Sequence, residues 1–137
     1  NKDHETGLLV ALEYGHADAV KAFLEALPKL KNLGLNDAQI KTILWARNKF
    51  GIPGLTRALR FDNRETIKAY FEGIKTLGLD QDTEWIKSIL ETKDNDGNSC
   101  FARALRVAKS DTKNVLYQEL RKLGFKEAWI QGLEKMA

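Results

Sequence analysis

Gly7-Leu8-Leu9-Val10-Ala11-Leu12 is answered 47 residues later by Gly54-Leu55-Thr56-Arg57-Ala58-Leu59, and 46 residues after that by Cys100-Phe101-Ala102-Arg103-Ala104-Leu105. A phrase returning at that interval marks a stack of similar units. Each unit has an apolar face that it cannot cover alone and that its neighbours cover. The expected fold is all-α, a repeat solenoid of about three long units over residues 1–47, 48–93 and 94–137 of one domain.

Outward from the phrase, each copy spells three helices. The first is short, at 6–14, 53–61 and 99–107, opened by Thr6, Pro53 and Ser99. Thr and Ser suit an N-cap, and Pro suits the first helical turn. The second is longer, at 18–31, 65–76 and 111–122, with apolar residues at helical spacing such as Val20, Phe23, Leu24 and Leu27. Leu33-Gly34-Leu35, Leu77-Gly78-Leu79 and Leu123-Gly124-Phe125 then place a glycine where a helix ends on a left-handed residue, with an apolar residue after it. The third helix follows at 37–47, 82–92 and 126–135, with Asn36 and Gln39 spaced as a capping pair. The third copy is expected to carry two extra residues within 108–115.

Hydrophobic residues are 43% of the chain and charged residues 30%, a composition that folds. A net charge of +3 is too weak to argue for nucleic acid. The apolar runs are too short for a membrane span. Cys100 is the single cysteine, so no internal disulfide forms. The chain opens on Asn1, already inside a repeat, and reads as a domain excised from a larger protein.

Asp94-Asn95-Asp96-Gly97-Asn98-Ser99-Cys100-Phe101-Ala102-Arg103-Ala104 resembles the ankyrin opening D-x-x-G-x-T-P-L-H-x-A, with Ser99 for the threonine, Cys100 for the proline and Ala102 for the histidine. Gly15-His16-Ala17-Asp18-Ala19-Val20-Lys21 resembles the second-helix signature G-H-x-E-I-V-K, and Asn63-Arg64-Glu65-Thr66-Ile67-Lys68 is a weaker copy. The resemblance spans all three units. It departs in period, since ordinary ankyrin units run to about 33 residues and these add a third helix. That long form is similar to the C-terminal ankyrin modules of bacterial type III secretion effectors. The phrases A-L-x-x-G-H-A-D-A-V-K-A-F and G-I-P-G-L-T-R-A-L resemble the OspC-like and EspL-like groups. The OspC-like group is preferred because this chain is short and closes on a capping helix. That resemblance implies an N-terminal enzyme domain outside this chain, an NAD-dependent arginine ADP-riboxanase. It also implies host protein targets such as inflammatory caspases, and delivery into the host cell cytosol. The EspL-like group pairs its repeats with a cysteine protease.

The chain itself offers little chemistry. His4 and His16 are too few for a metal cluster, and His16 belongs to a G-H dipeptide that ankyrin turns use structurally. Asp94-x-Asp96-Gly97 suggests a calcium loop, but Arg103 would stand where a bidentate carboxylate is needed. Cys100 sits at a helix start, where a thiol pKa can be lowered. It has no histidine partner nearby in sequence and reads as a small filler. No catalytic residue, cofactor site or metal site is expected in this domain.

What remains is surface. In a stack of this kind the first helices line one side, and their core takes Leu8, Ala11, Leu12 and equivalents. Tyr14, then Arg57, Arg60 and Phe61, then Arg103 and Arg106 are left outward, a basic stripe with aromatic neighbours. Phe50 and Ile52 place large apolar side chains in a turn whose later counterpart is polar. Of the three tryptophans, Trp85 and Trp129 hold matching positions and are expected to pack between units, while Trp45 is expected nearest a partner. The reading is therefore a module that captures a protein partner on Tyr14, Trp45, Phe50, Ile52, Arg57, Arg60, Phe61, Arg103 and Arg106. The alternative is a regulatory stack that packs on its own enzyme domain or self-associates.

Overall fold

A computed structural model describes residues 7–136, and among them every regular element is helical, with no strand. Thr6 and His4 lie outside the described residues. The helices are α1 (Gly7–Glu13), α2 (Ala17–Asn32), α3 (Asp37–Leu44), α4 (Gly54–Arg60), α5 (Arg64–Thr76), α6 (Thr83–Leu90), α7 (Cys100–Val107), α8 (Ser110–Lys122) and α9 (Glu127–Gly132). A 3-10 turn, Leu133–Met136, follows α9.

The apolar residues of the repeated phrase share a task that explains their return. Leu8, Leu12, Leu55, Leu59, Phe101 and Leu105 are at most 2% exposed, so the first helices bury one face completely. Burying a Leu or Phe side chain contributes about 1.5–3 kcal/mol, which offsets the low intrinsic stability of helices this short. Gly54 lets α4 approach α1: a Cβ there would lie 2.8 Å from Leu12 Cδ1. Packing runs along two rows, α1 on α4 and α4 on α7, then α2 on α5 and α5 on α8. The 3-10 turn after α9 packs back on α7 and carries Leu133 into the core.

The glycine stops behave as their spacing predicts. Gly34, Gly78 and Gly124 take φ of 115°, 75° and 93°. In the first and third copies two bonds close the helix end, Gly34 N–H to Lys31 O with Leu35 N–H to Leu30 O, and Gly124 N–H to Arg121 O with Phe125 N–H to Leu120 O. The Asn36/Gln39 pair is a reciprocal capping box, each side chain accepting from the other's backbone N–H at 2.8 Å.

Three local expectations are corrected. Helices α5 and α8 are both 13 residues and start 46 apart, so no insertion lies in 108–115. The length differences lie instead in α2, which is 16 residues, and in a 3-10 turn, Leu79–Gln81, between α5 and α6. Helices α3 and α6 stop at Leu44 and Leu90, short of 47 and 92, because the chain must turn out for the next connection, and α9 gives way after Gly132 to the 3-10 turn that runs to Met136. Pro53 is an N-cap residue and not the first of its helix, its φ of −64° preset for the position. Ser99 is also an N-cap, but its side chain makes no capping bond.

The connections repeat as closely as the helices. Asn48 Oδ1 accepts from the N–H groups of Phe50 and Ile52, and Asp94 Oδ1 accepts from those of Asp96 and Asn98. Isolated bridges Arg47–Pro53 and Lys93–Ser99 pinch each turn at its base. The two turns also bond each other: Asn95 N–H donates to Phe50 O at 3.0 Å, and Asn95 Nδ2 to Lys49 O at 2.9 Å.

Candidate partner-binding face

Positions of the first helices that do not enter the core face outward, and the row of first helices brings several together. Between α1 and α4 lies a cleft of about 320 Å³ lined by Glu13, Tyr14, Arg57, Phe61 and Asn63. Between α4 and α7 lies a second, of about 270 Å³, lined by Ile52, Thr56, Arg57, Arg60, Asp94, Cys100, Arg103 and Ala104. Arg57 is common to both. Its guanidinium carbon stands 4.8 Å from the Phe61 ring centroid, a cation–π distance, and its Nε is buried without a hydrogen-bond partner. Tyr14 is 70% exposed and Phe61 51%, so aromatic surface flanks the cationic group.

The structure thus brings Arg57, Arg60, Arg103 and Ile52 into one cleft, and Tyr14, Arg57 and Phe61 into the other. Arg106, exposed at the end of α7, lies outside the lining of both. Phe50 and Ile52 part company. Phe50 is 59% exposed with Lys49 Nζ 5.4 Å from its ring, whereas Ile52 is half-buried at the cleft wall.

Trp45 lines a third hollow of about 500 Å³ with Arg47, Lys49 and Asn95. Its indole N–H is already committed, donating to Thr92 Oγ1 of the next unit at 2.8 Å, and the Arg47 guanidinium covers its ring at 4.7 Å. Trp85 and Trp129 are half-buried, and each ring faces a lysine of the preceding third helix. Lys41 Nζ stands 5.6 Å from the Trp85 ring and Lys87 Nζ 5.5 Å from the Trp129 ring, the same link one unit on.

Asp94 and Thr56 were not legible as neighbours of the arginines. Asp94 is the first residue of a turn and Thr56 a buried helix residue, and only the approach of α4 to α7 unites them. The repeat offset does point to Asp94, since its counterpart Asn48 holds the matching turn. Cys100 also reaches the second cleft, but its thiol is pushed up and not lowered. Burial is the main cause, and the Asp94 carboxylate adds to it. Its Sγ points to Thr92 O at 3.4 Å. The Asp94 turn is closed by its own backbone amides, and among the described residues no group of three or more His, Cys, Asp or Glu is placed to hold a metal ion. No helix among them is long and apolar enough to cross a membrane.

Chemically the face offers three guanidinium groups, one turn carboxylate and exposed rings. Guanidinium forks pair with carboxylates in two parallel bonds, and desolvated arginines and tyrosines are common anchors of protein interfaces. In comparisons with known proteins, no family model, curated protein or solved structure matches this chain.

Proposed function

We propose that this chain is a protein-binding module, an ankyrin-like solenoid whose first-helix face captures a carboxylate-bearing segment of a partner protein. The observation that carries this reading is the placement of Arg57 in two adjoining clefts, with Arg60 and Arg103 on one side and Tyr14 and Phe61 on the other. Repeated two-row packing of first and second helices supports the ankyrin-like description. The resemblance to OspC-like effector modules supplies the biological setting. There the partner is a host protein such as an inflammatory caspase in the host cytosol. An arginine ADP-riboxanase domain outside this chain modifies it, and the module raises the partner's effective concentration at that tethered enzyme.

The test is binding of a purified inflammatory caspase to the wild-type chain and to the double variant Arg57→Glu/Arg60→Glu, by interferometry alongside thermal unfolding. The double reversal weakens binding at least about tenfold, roughly 1.4 kcal/mol, and leaves the unfolding transition in place. Unaltered affinity removes the arginine clefts from the reading. Absence of wild-type binding removes the caspase.

A further inference from the structure

Helix α2 has a side that, among the described residues, is left largely bare. Ala19, Ala22, Phe23, Ala26, Leu30 and Leu33 recur at steps of three and four, so at about 100° per residue they form one stripe. None is charged. All but Phe23 are exposed, Leu33 at 83%. The stripe lies opposite the side that meets α5, where Lys21, Leu24 and Glu25 border a crevice against Ala69 and Gly73.

Repeat equivalence says what such a side is for. The matching residues of α5 are Thr66, Ala69, Tyr70, Gly73 and Leu77, and α2 packs on α5. Those of α8 are Thr112, Val115, Leu116, Glu119 and Leu123, and α5 packs on α8. All ten are buried or half-buried. At the opposite end of the row, the outer side of α8 shows Asn114, Gln118 and Arg121, all exposed. A stack needs a polar outer face on each terminal unit. This one has such a face at α8, and a bare apolar one at α2.

We propose that the α2 stripe is an unfinished stacking interface, covered by the second helix of a further unit of the same kind that the protein supplies from outside residues 1–137. The occupant is an amphipathic helix running parallel to α2, its apolar edge on the alanines as Leu24 lies on Gly73. A second copy of this chain fits less well. A stripe on the order of 24 Å long and 10 Å wide buries roughly 500 Å² in all, well below the ~1,200 Å² of stable association between separate molecules. A tethered unit needs no such area, because attachment supplies its concentration. The polar side of α8 also rules out head-to-tail growth on α2. The arrangement stands or falls apart from the arginine clefts, which are on the other row of helices.

Thiol labelling decides it. Ala22→Cys and, as control, Gln118→Cys are introduced into residues 1–137 and into the full-length protein, with labelled peptides quantified by mass spectrometry. Cys100 is buried and serves as a slow internal reference. In residues 1–137 both sites label at similar rates. In the full-length protein Ala22→Cys slows by at least about tenfold while Gln118→Cys does not change. Equal rates for Ala22→Cys in the two chains overturn the proposal. So does a dimer of residues 1–137 in light scattering that Ala26→Glu converts to monomer, since the occupant is then a second copy. Unchanged thermal transitions of both cysteine variants certify the fold.

Discussion

Asp62 holds the left-handed region at φ 58°, the place that Gly15 fills one unit earlier at φ 71°. A residue with a Cβ is strained there, and aspartate tolerates it best because its short carboxylate bonds nearby backbone. Here Oδ1 accepts the N–H of Lys109 at 2.8 Å, at the head of α8 in the next unit. Asp62→Ala therefore costs about 1–2 kcal/mol by urea unfolding, from strain plus the lost bond, and Asp62→Gly costs roughly half of that because only the bond is lost. In the third unit Ala108 adopts an extended conformation instead, and α7 runs one residue longer than α4. Glycines at helix ends were legible because a left-handed φ has a residue preference. The role of Asp62 was not, since its bond spans 47 residues and aspartate is common in any turn.

Among elements, the close fit of α2 on α5 depends on Gly73, where an added Cβ would lie 2.4 Å from Leu24 Cδ1 and 2.9 Å from Leu24 Cβ. Alanine is the better helix former by about 1 kcal/mol, so propensity and packing oppose each other at this site. Packing wins: Gly73→Ala lowers stability by about 1 kcal/mol. In a Leu24→Ala background the loss is smaller, because Cδ1 and Cγ are gone while Cβ remains, and a double-mutant cycle in urea reads the difference. A loss that is the same in both backgrounds would refute the contact. Helix existence and order were readable from the period of 3.6, because Val20, Leu24 and Leu27 must share a face to be buried. The early ends of the third helices were not readable. Trp45, Glu91 and their neighbours are compatible with a helix, and the stop comes from the turn that follows. The clefts were half readable: the arginines showed as outward positions, whereas their grouping with Asp94 and Thr56 depends on how closely α4 and α7 approach.

For the whole molecule, carboxylates tie together helices distant in sequence and shape its response to acid. Asp62 titrates below its ordinary range, chiefly because of the Lys109 N–H, and Asp82 does so chiefly because of the Lys41 ammonium, with which it pairs. A carboxylate whose folded pKa is depressed stabilises the fold above its unfolded pKa, near 4, and loses that contribution as pH falls through the folded value. Urea midpoints are thus lower at pH 3 than at pH 6. Asp62→Asn with Asp82→Asn narrows the gap, and a gap that the pair leaves unchanged would assign acid sensitivity elsewhere. The same long-range view gives Arg57 a consequence of its own. Its side chain lines both clefts at once, so whatever displaces it from one wall alters the other. On the proposed reading, a group that draws Arg57 toward Arg60 and Arg103 takes a cation from the Phe61 ring, and the two clefts answer a spanning partner as a coupled pair and not as independent halves.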